Sequence, residues 1–317
     1  LMKIKALKWL SAVPVAAALV VSLAACGGGA ASTGSSSPTN ALEGSDQQTL
    51  DKYTTADVTA LDKIDKSKLG LITDGTIRVG TLSDAKPNIY LDSATGEFTG
   101  YDNELLKAVA AKLGLKVEFV STEFSALLAQ VKTKQFDVGS SNISTTDARR
   151  ENVAFTNGYD FGYLAVVAKT DGKAKTFADL KEGVRIGVVQ GTVQDDYVTN
   201  TLKLEPVRFP DYNTVYANVK NGQIDAWVAP TQQATGQVKE GDGTAITDKI
   251  VASQNFAAWA VNKSNQPLVD ALNAGLDAVI ADGTWTKLTV KWLDRPTADL
   301  QLPGGWKPGS KAVKVAQ

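Results

Sequence analysis

The chain has 317 residues, 33 basic against 34 acidic, a formal net charge of −1, no histidine and a single cysteine, Cys26. So even a balance argues against nucleic acid as a partner. Without histidine and with one thiol, the Ser-His-Asp and Cys-His nucleophilic arrangements and the usual zinc ligand sets are excluded; no metal or other cofactor is expected, although carboxylate chemistry remains open.

In chain order, Lys3, Lys5 and Lys8 lead into an apolar run from Trp9 to Val21, which closes on Leu23-Ala24-Ala25-Cys26 and Gly27-Gly28-Gly29. A basic lead, an apolar segment and small residues before a cut site make a secretory signal. The run is shorter than the ~20 residues that span a bilayer. With Cys26 directly after the cut site, the segment resembles a bacterial lipoprotein signal, which implies removal of residues 1–25 and a lipid on Cys26. The mature protein is then expected on the extracytoplasmic face of the cell membrane, with a balance of about −4 (30 basic against 34 acidic residues).

Residues 26–48 are mostly Gly, Ala, Ser and Thr, too poor in large apolar side chains to offset ordering entropy, and are expected to form a flexible tether. Residues 49–75 form an N-terminal extension, where Leu50, Tyr53, Val58, Leu61 and Ile64 have loosely helical spacing. Beyond it, strands and helices alternate. Strands are expected at 76–82, 116–120 and 137–140, with helices at 102–113, which Asp102 can cap, and at 124–133. A second unit repeats the theme with strands at 184–189, 206–209 and 226–229 and helices at 192–202 and 213–221. A late helix at 267–282 carries an apolar stripe of Leu268, Ala271, Leu272, Leu276 and Val279. Such alternation argues α/β architecture in two lobes.

Six segments in order carry a family resemblance: Gly100-Tyr101-Asp102-Asn103-Glu104-Leu105, Phe136-Asp137-Val138, Ser144-Thr145-Thr146-Asp147-Ala148-Arg149-Arg150, Val153-Ala154-Phe155-Thr156, Asn221-Gly222-Gln223-Ile224-Asp225-Ala226 and Ala281-Asp282-Gly283-Thr284-Trp285. Together, over about 76–293, they resemble the family 3 extracellular solute-binding proteins. The resemblance implies an α/β, two-lobed, periplasmic-binding-protein-like fold (a type II Venus flytrap). Two linker strands would cross between lobes around 164–169 and 256–261. Lobe one would hold 76–164 and 257–295, lobe two 165–256, and residues 296–317 a C-terminal tail. It further implies a monomeric receptor that delivers a small polar carboxylate-bearing solute, an amino acid or a related zwitterion, to the permease subunits of an ABC importer.

The site can be argued from residue chemistry. Ser144 to Arg150 follows a strand and opens a helix, where free N–H groups and the positive dipole end favour an anion. Arg149 adds a guanidinium that can grip a carboxylate through two parallel bonds, unless it pairs with Asp147 or Glu151 at the surface. Asn142 is placed in the same ligand-binding set. Across the cleft, Gly191 and Thr192 offer N–H donors and a hydroxyl, as well as a helix cap. Phe124 matches a position where the family sets a ring against the ligand. Trp227 and Trp259 are expected to pack, as are Trp285, Trp292 and Trp306.

Two departures bear on the ligand. Pro230 stands where amino-acid binders of this type usually carry an acid for the ligand's ammonium, and Leu82-Ser83-Asp84-Ala85-Lys86 lacks the usual ring. If Asp84 or Glu123 supplies the missing charge, a standard polar amino acid is expected; if neither does, a carboxylate whose amino group is absent, substituted or displaced from the α-carbon. An enzyme on the same scaffold, of dehydratase or lytic type with Glu123 or Asp84 as general acid, and a ligand-sensing lipoprotein without transport are the alternatives.

Overall fold

The computed structural model describes residues 64–250, 256–293 and 306–308. The signal, Cys26, the tether, most of the N-terminal extension and most of the tail lie outside these residues.

Two five-stranded sheets form the frame. The first runs, edge to edge, Lys116–Ser121, Thr76–Thr81, Val138–Ser144, Ala257–Asn262 and Val153–Phe155. The second runs Val207–Phe209, Ile186–Val189, Ala226–Pro230, Leu164–Lys169 and Thr244–Ile250. Each has a parallel half and an antiparallel half, because the strand that re-enters each lobe runs against its neighbours. A small three-stranded sheet of Asp84–Ala85, Ile89–Leu91 and Phe98–Thr99 lies between the first strand and the helix Tyr101–Lys112.

The fold is a mixed α/β structure in two lobes. One expectation needs correcting. Leu164–Lys169 and Ala257–Asn262 are not linkers but sheet strands, each hydrogen-bonded to two neighbours and almost wholly buried. Alternating runs of Ala and Val suit such two-sided burial, which is why both read as strands without revealing which sheet they join. The chain leaves the first sheet for the second through 156–163, where Asp160 bridges Ala257 at the start of the returning strand. Beyond the expected elements are helices at Thr231–Gln237 and Thr284–Leu293, and the 192–202 helix divides into an α segment, Val193–Asp196, and a π turn, Tyr197–Thr201.

Asp102 does not cap its helix. The N-cap is Gly100, at φ 102°, where a Cβ would stand 2.5 Å from the Asn88 carbonyl. Only glycine permits this approach, which lets the Tyr101 and Asp102 N–H groups donate to the Pro87 and Asn88 carbonyls. Asp102 is thereby turned inward and fully buried.

Candidate functional site

The lobes close around a cavity of about 50 Å³. On the first lobe, Arg149 reaches it from the one-turn helix Asp147–Arg150, capped by Thr146 rather than Ser144. Its Nη1 donates to the Ser144 carbonyl (3.0 Å) and its Nη2 crosses to the Gly191 carbonyl (3.0 Å). The guanidinium lies 5.1 Å from the centroid of Phe124, the first residue of the helix Phe124–Lys132. Burial lowers the Arg149 pKa to about 10, still far enough above neutrality to keep it charged. Of five N–H donors, two are engaged by described residues and three remain for an anion. Asn142 and Ser144 line the cavity beside it, from the end of their strand. Asn142 sits at φ 46°, a conformation unusual outside glycine; its N–H donates to Asp102 (2.6 Å) and its Nδ2 to Asp160 (2.8 Å).

The second lobe answers with uncharged groups. Thr192 lines the cavity, but its hydroxyl caps the next helix by accepting the Asp195 N–H (3.2 Å) and donates to the Val189 carbonyl (2.7 Å). The expected N–H donors here are committed: Gly191 N–H donates to Asp195 (3.0 Å), which Arg208 holds, and Thr192 N–H to Val189. Gly191 therefore contributes its carbonyl, to Arg149, and not its N–H. Val193, Gln194, Tyr212, Pro230, Gln232 and Gln233 also line this face.

The two candidate acids are placed elsewhere. Glu123 is exposed and is not part of the cavity wall. Asp84 accepts the Asn213 N–H (2.8 Å), joining the lobes at the start of the helix Tyr212–Lys220. Burial, reinforced by nearby Asp211, raises its pKa to about 6 despite that hydrogen bond. Trp227 and Trp259 are fully buried in the sheets. Trp306 stacks on Phe256 (4.3 Å between centroids) and meets Phe161 edge-on, thus bracing both segments where the chain crosses.

Sequence reasoning missed Phe161 to Leu164, Tyr212, Gln232 and Gln233. Gln232 and Gln233 lie two and three residues after Pro230, so the departure from the usual acid was itself the signal.

A two-lobed α/β protein with its site between lobes, and a half-buried guanidinium on one face, defines a small-ligand receptor of the flytrap class. Residues 77–295 match the model of the bacterial extracellular solute-binding proteins, family 3, and the chain belongs to that family. It is 31% identical over 204 residues to the ABC transporter arginine-binding protein 1 of Escherichia coli K12, covering 63% of this chain and 83% of that protein. It is 30% identical to the histidine-binding periplasmic protein of Salmonella typhimurium, covering 69% and 87%. An ancestral arginine-binding protein bound to arginine superposes with a TM-score of 0.65 at 30% identity, covering 69% of this chain and 98% of that one.

Proposed function

We propose that this chain is the extracytoplasmic receptor of an ABC importer, held to the membrane by a lipid on Cys26, and that it captures an amino acid by its carboxylate. The observation that carries the reading is Arg149, which is charged, faces the cavity with donors in reserve and is steadied by Phe124 and two backbone carbonyls. A planar guanidinium with paired donors suits a carboxylate better than any other common group. Because Arg149 also grips the Gly191 carbonyl of the facing lobe, ligand binding and lobe closure involve the same side chain, and a ligand stabilises the closed form by its preference for it. Its relatives' names carry arginine and histidine, which makes these the first solutes to test. The enzyme alternative lacks support, since Asp84 accepts from Asn213 and neither Asp84 nor Glu123 is part of the cavity wall.

Calorimetry with the standard amino acids tests the reading. One-to-one binding is expected for at least one of them, and Arg149→Ala is expected to weaken it by at least the ~1.5–3 kcal/mol of a charge-assisted hydrogen bond. Undiminished binding by that variant, or no binder among the amino acids, overturns it.

A further inference from the structure

Besides Gln194, three primary amides stand on the cavity wall, those of Asn142, Gln232 and Gln233. Each is pinned by its NH2 end. Asn142 Nδ2 and Gln232 Nε2 both donate to Asp160 Oδ2, at 2.8 and 3.1 Å, and Gln232 Nε2 also donates to the Phe161 carbonyl (3.1 Å). Gln233 Nε2 donates to Asn88 Oδ1 (3.2 Å), and Asn88 Nδ2 donates to Asp102 Oδ1 (2.9 Å).

Above the Asp102 pKa of about 7, where this carboxyl is ionised, chemistry fixes the direction of every bond from Asp102 to Gln233, and the test belongs at pH 8. An ionised carboxylate only accepts, and a primary amide has one donating and one accepting end. Asp102 therefore draws the Asn88 NH2 group, the Asn88 oxygen faces Gln233 and draws its NH2 in turn, and Gln233 is left with its oxygen uncommitted. Gln233 is 2% exposed, and its Oε1 has no partner among the described residues. Gln232 Oε1 lies by another cavity residue: a Cβ added to Gly162 would stand 2.7 Å from it. A buried acceptor without a donor is costly, so an N–H brought by a ligand would be rewarded here.

We infer that the amide oxygens of Asn142, Gln232 and Gln233, oriented by Asp160 and Asp102, receive the α-amino group of the ligand and are specificity-determining in place of the acid that Pro230 displaces. This rests on the amino-acid reading proposed above. Asn142 and Ser144 both line the cavity, as Arg149 does, which sets an acceptor for the amino group beside the carboxylate grip of Arg149. Asn88 and Asp102 touch no ligand and act as positioning residues.

The test is calorimetry on the full chain with arginine, histidine and glutamine and with each one's deaminated counterpart, in which hydrogen replaces the α-amino group. Wild type should bind at least one amino acid about tenfold or more tighter than its deaminated partner. Gln233→Leu should reduce that ratio to about threefold or less. Asp102→Asn keeps the shape but offers Asn88 a donor; Asn88 and Gln233 then turn over and present an NH2 to the cavity. Its ratio should fall while the affinity for the deaminated acid stays within about threefold, whereas a merely structural defect weakens both ligands alike. Thermal melts check that the variants fold, and the wild-type ratio needs no variant at all. Equal binding of amino and deaminated acids by wild type overturns the inference, as does an unchanged ratio in folded Asp102→Asn. A bound amino acid with a flat ratio sinks this inference alone, while no binder among the standard amino acids, to which the series extends if none of these three binds, sinks the amino-acid reading and this inference with it.

Discussion

The lobe that carries Arg149 brings a charge to the cleft, whereas the facing lobe brings a hydroxyl, a ring, a proline and three amides. The first lobe's charges are held before the lobes meet: Asp102 accepts from Asn88, Asn142 and Tyr159 on its own side. The second lobe joins only on closure, through the Gly191 carbonyl, the Asn213 N–H and the Gln233 amide. Charges fixed in one wall and neutral groups in the other mean that closing buries few unpaired ions, whose desolvation would oppose it. One wall is therefore expected to govern folding stability and the other to govern closure.

The largest effect tests the first half of that contrast. Asp102→Ala leaves three buried donors, on Asn88, Asn142 and Tyr159, without their acceptor. At roughly 1–3 kcal/mol for each unsatisfied group, partly relieved by relaxation, a loss of about 3–5 kcal/mol is expected in denaturant unfolding. Burial raises the Asp102 pKa to about 7. Since the folded protein holds that proton more tightly than the unfolded chain, the ionisation of Asp102 opposes folding as pH rises through 7, and the measurement belongs near pH 6. A loss under 1 kcal/mol would show that the first wall does not depend on its buried carboxylate.

Next in size is a substitution that touches closure alone. Gly236 lies in the helix Thr231–Gln237, and a Cβ there would stand 2.3 Å from the Lys86 carbonyl of the other lobe. Two backbones in contact cannot yield as a flexible side chain does. Gly236→Ala is expected to weaken amino-acid binding by at least about tenfold, or ~1.4 kcal/mol. With the lobes apart, the same change should leave unfolding unaltered or raise stability by about 0.5–1 kcal/mol, because alanine favours the helix. Lost stability with retained affinity would reverse the assignment of roles.

How much of this contrast was legible in the sequence follows the same division. Period and turn signals located the parallel strands and the long helices, because a buried face at Leu105, Leu106 and Val109 needs only local spacing to be seen. Arg149 and Ser144 were legible as neighbours because their motif lies within a few residues, whereas Phe124 was singled out only by a resemblance at its own position. The role of Asp102 was not: as a local signal it read as a cap, and its partners are 14, 40 and 57 residues distant. Asp84 likewise read as a ligand acid, when its partner is a backbone N–H 129 residues away. Gln232 and Gln233 acquire meaning only when the lobes close, a contact between segments some 145 residues apart for Gln233 and Asn88.

The smallest expected effect sharpens the comparison at the one place where a charge of the first lobe meets backbone of the second. Asp84 accepts the Asn213 N–H while desolvated between the lobes and near Asp211, and its pKa stands at about 6 against an ordinary 3.8. With the lobes apart its carboxyl regains water and its ordinary value. The closed form thus binds a proton more tightly than the open one. Closure is favoured at low pH, and that advantage is lost as pH rises through about 6. Amino-acid affinity is expected to be several-fold (roughly three- to tenfold) greater at pH 5 than at pH 8, less than the full shift allows because the group keeps some contact with solvent. Asp84→Asn cannot ionise and should flatten this part of the profile without altering the preference among ligands, since Asp84 does not face the cavity. Calorimetry at pH 5, 6, 7 and 8 reads both quantities. Affinity that rises with pH in wild type would mean that the hydrogen bond from Asn213 outweighs desolvation, so that the ionised carboxylate holds the lobes together. A changed ligand preference in Asp84→Asn would instead return Asp84 to the binding wall.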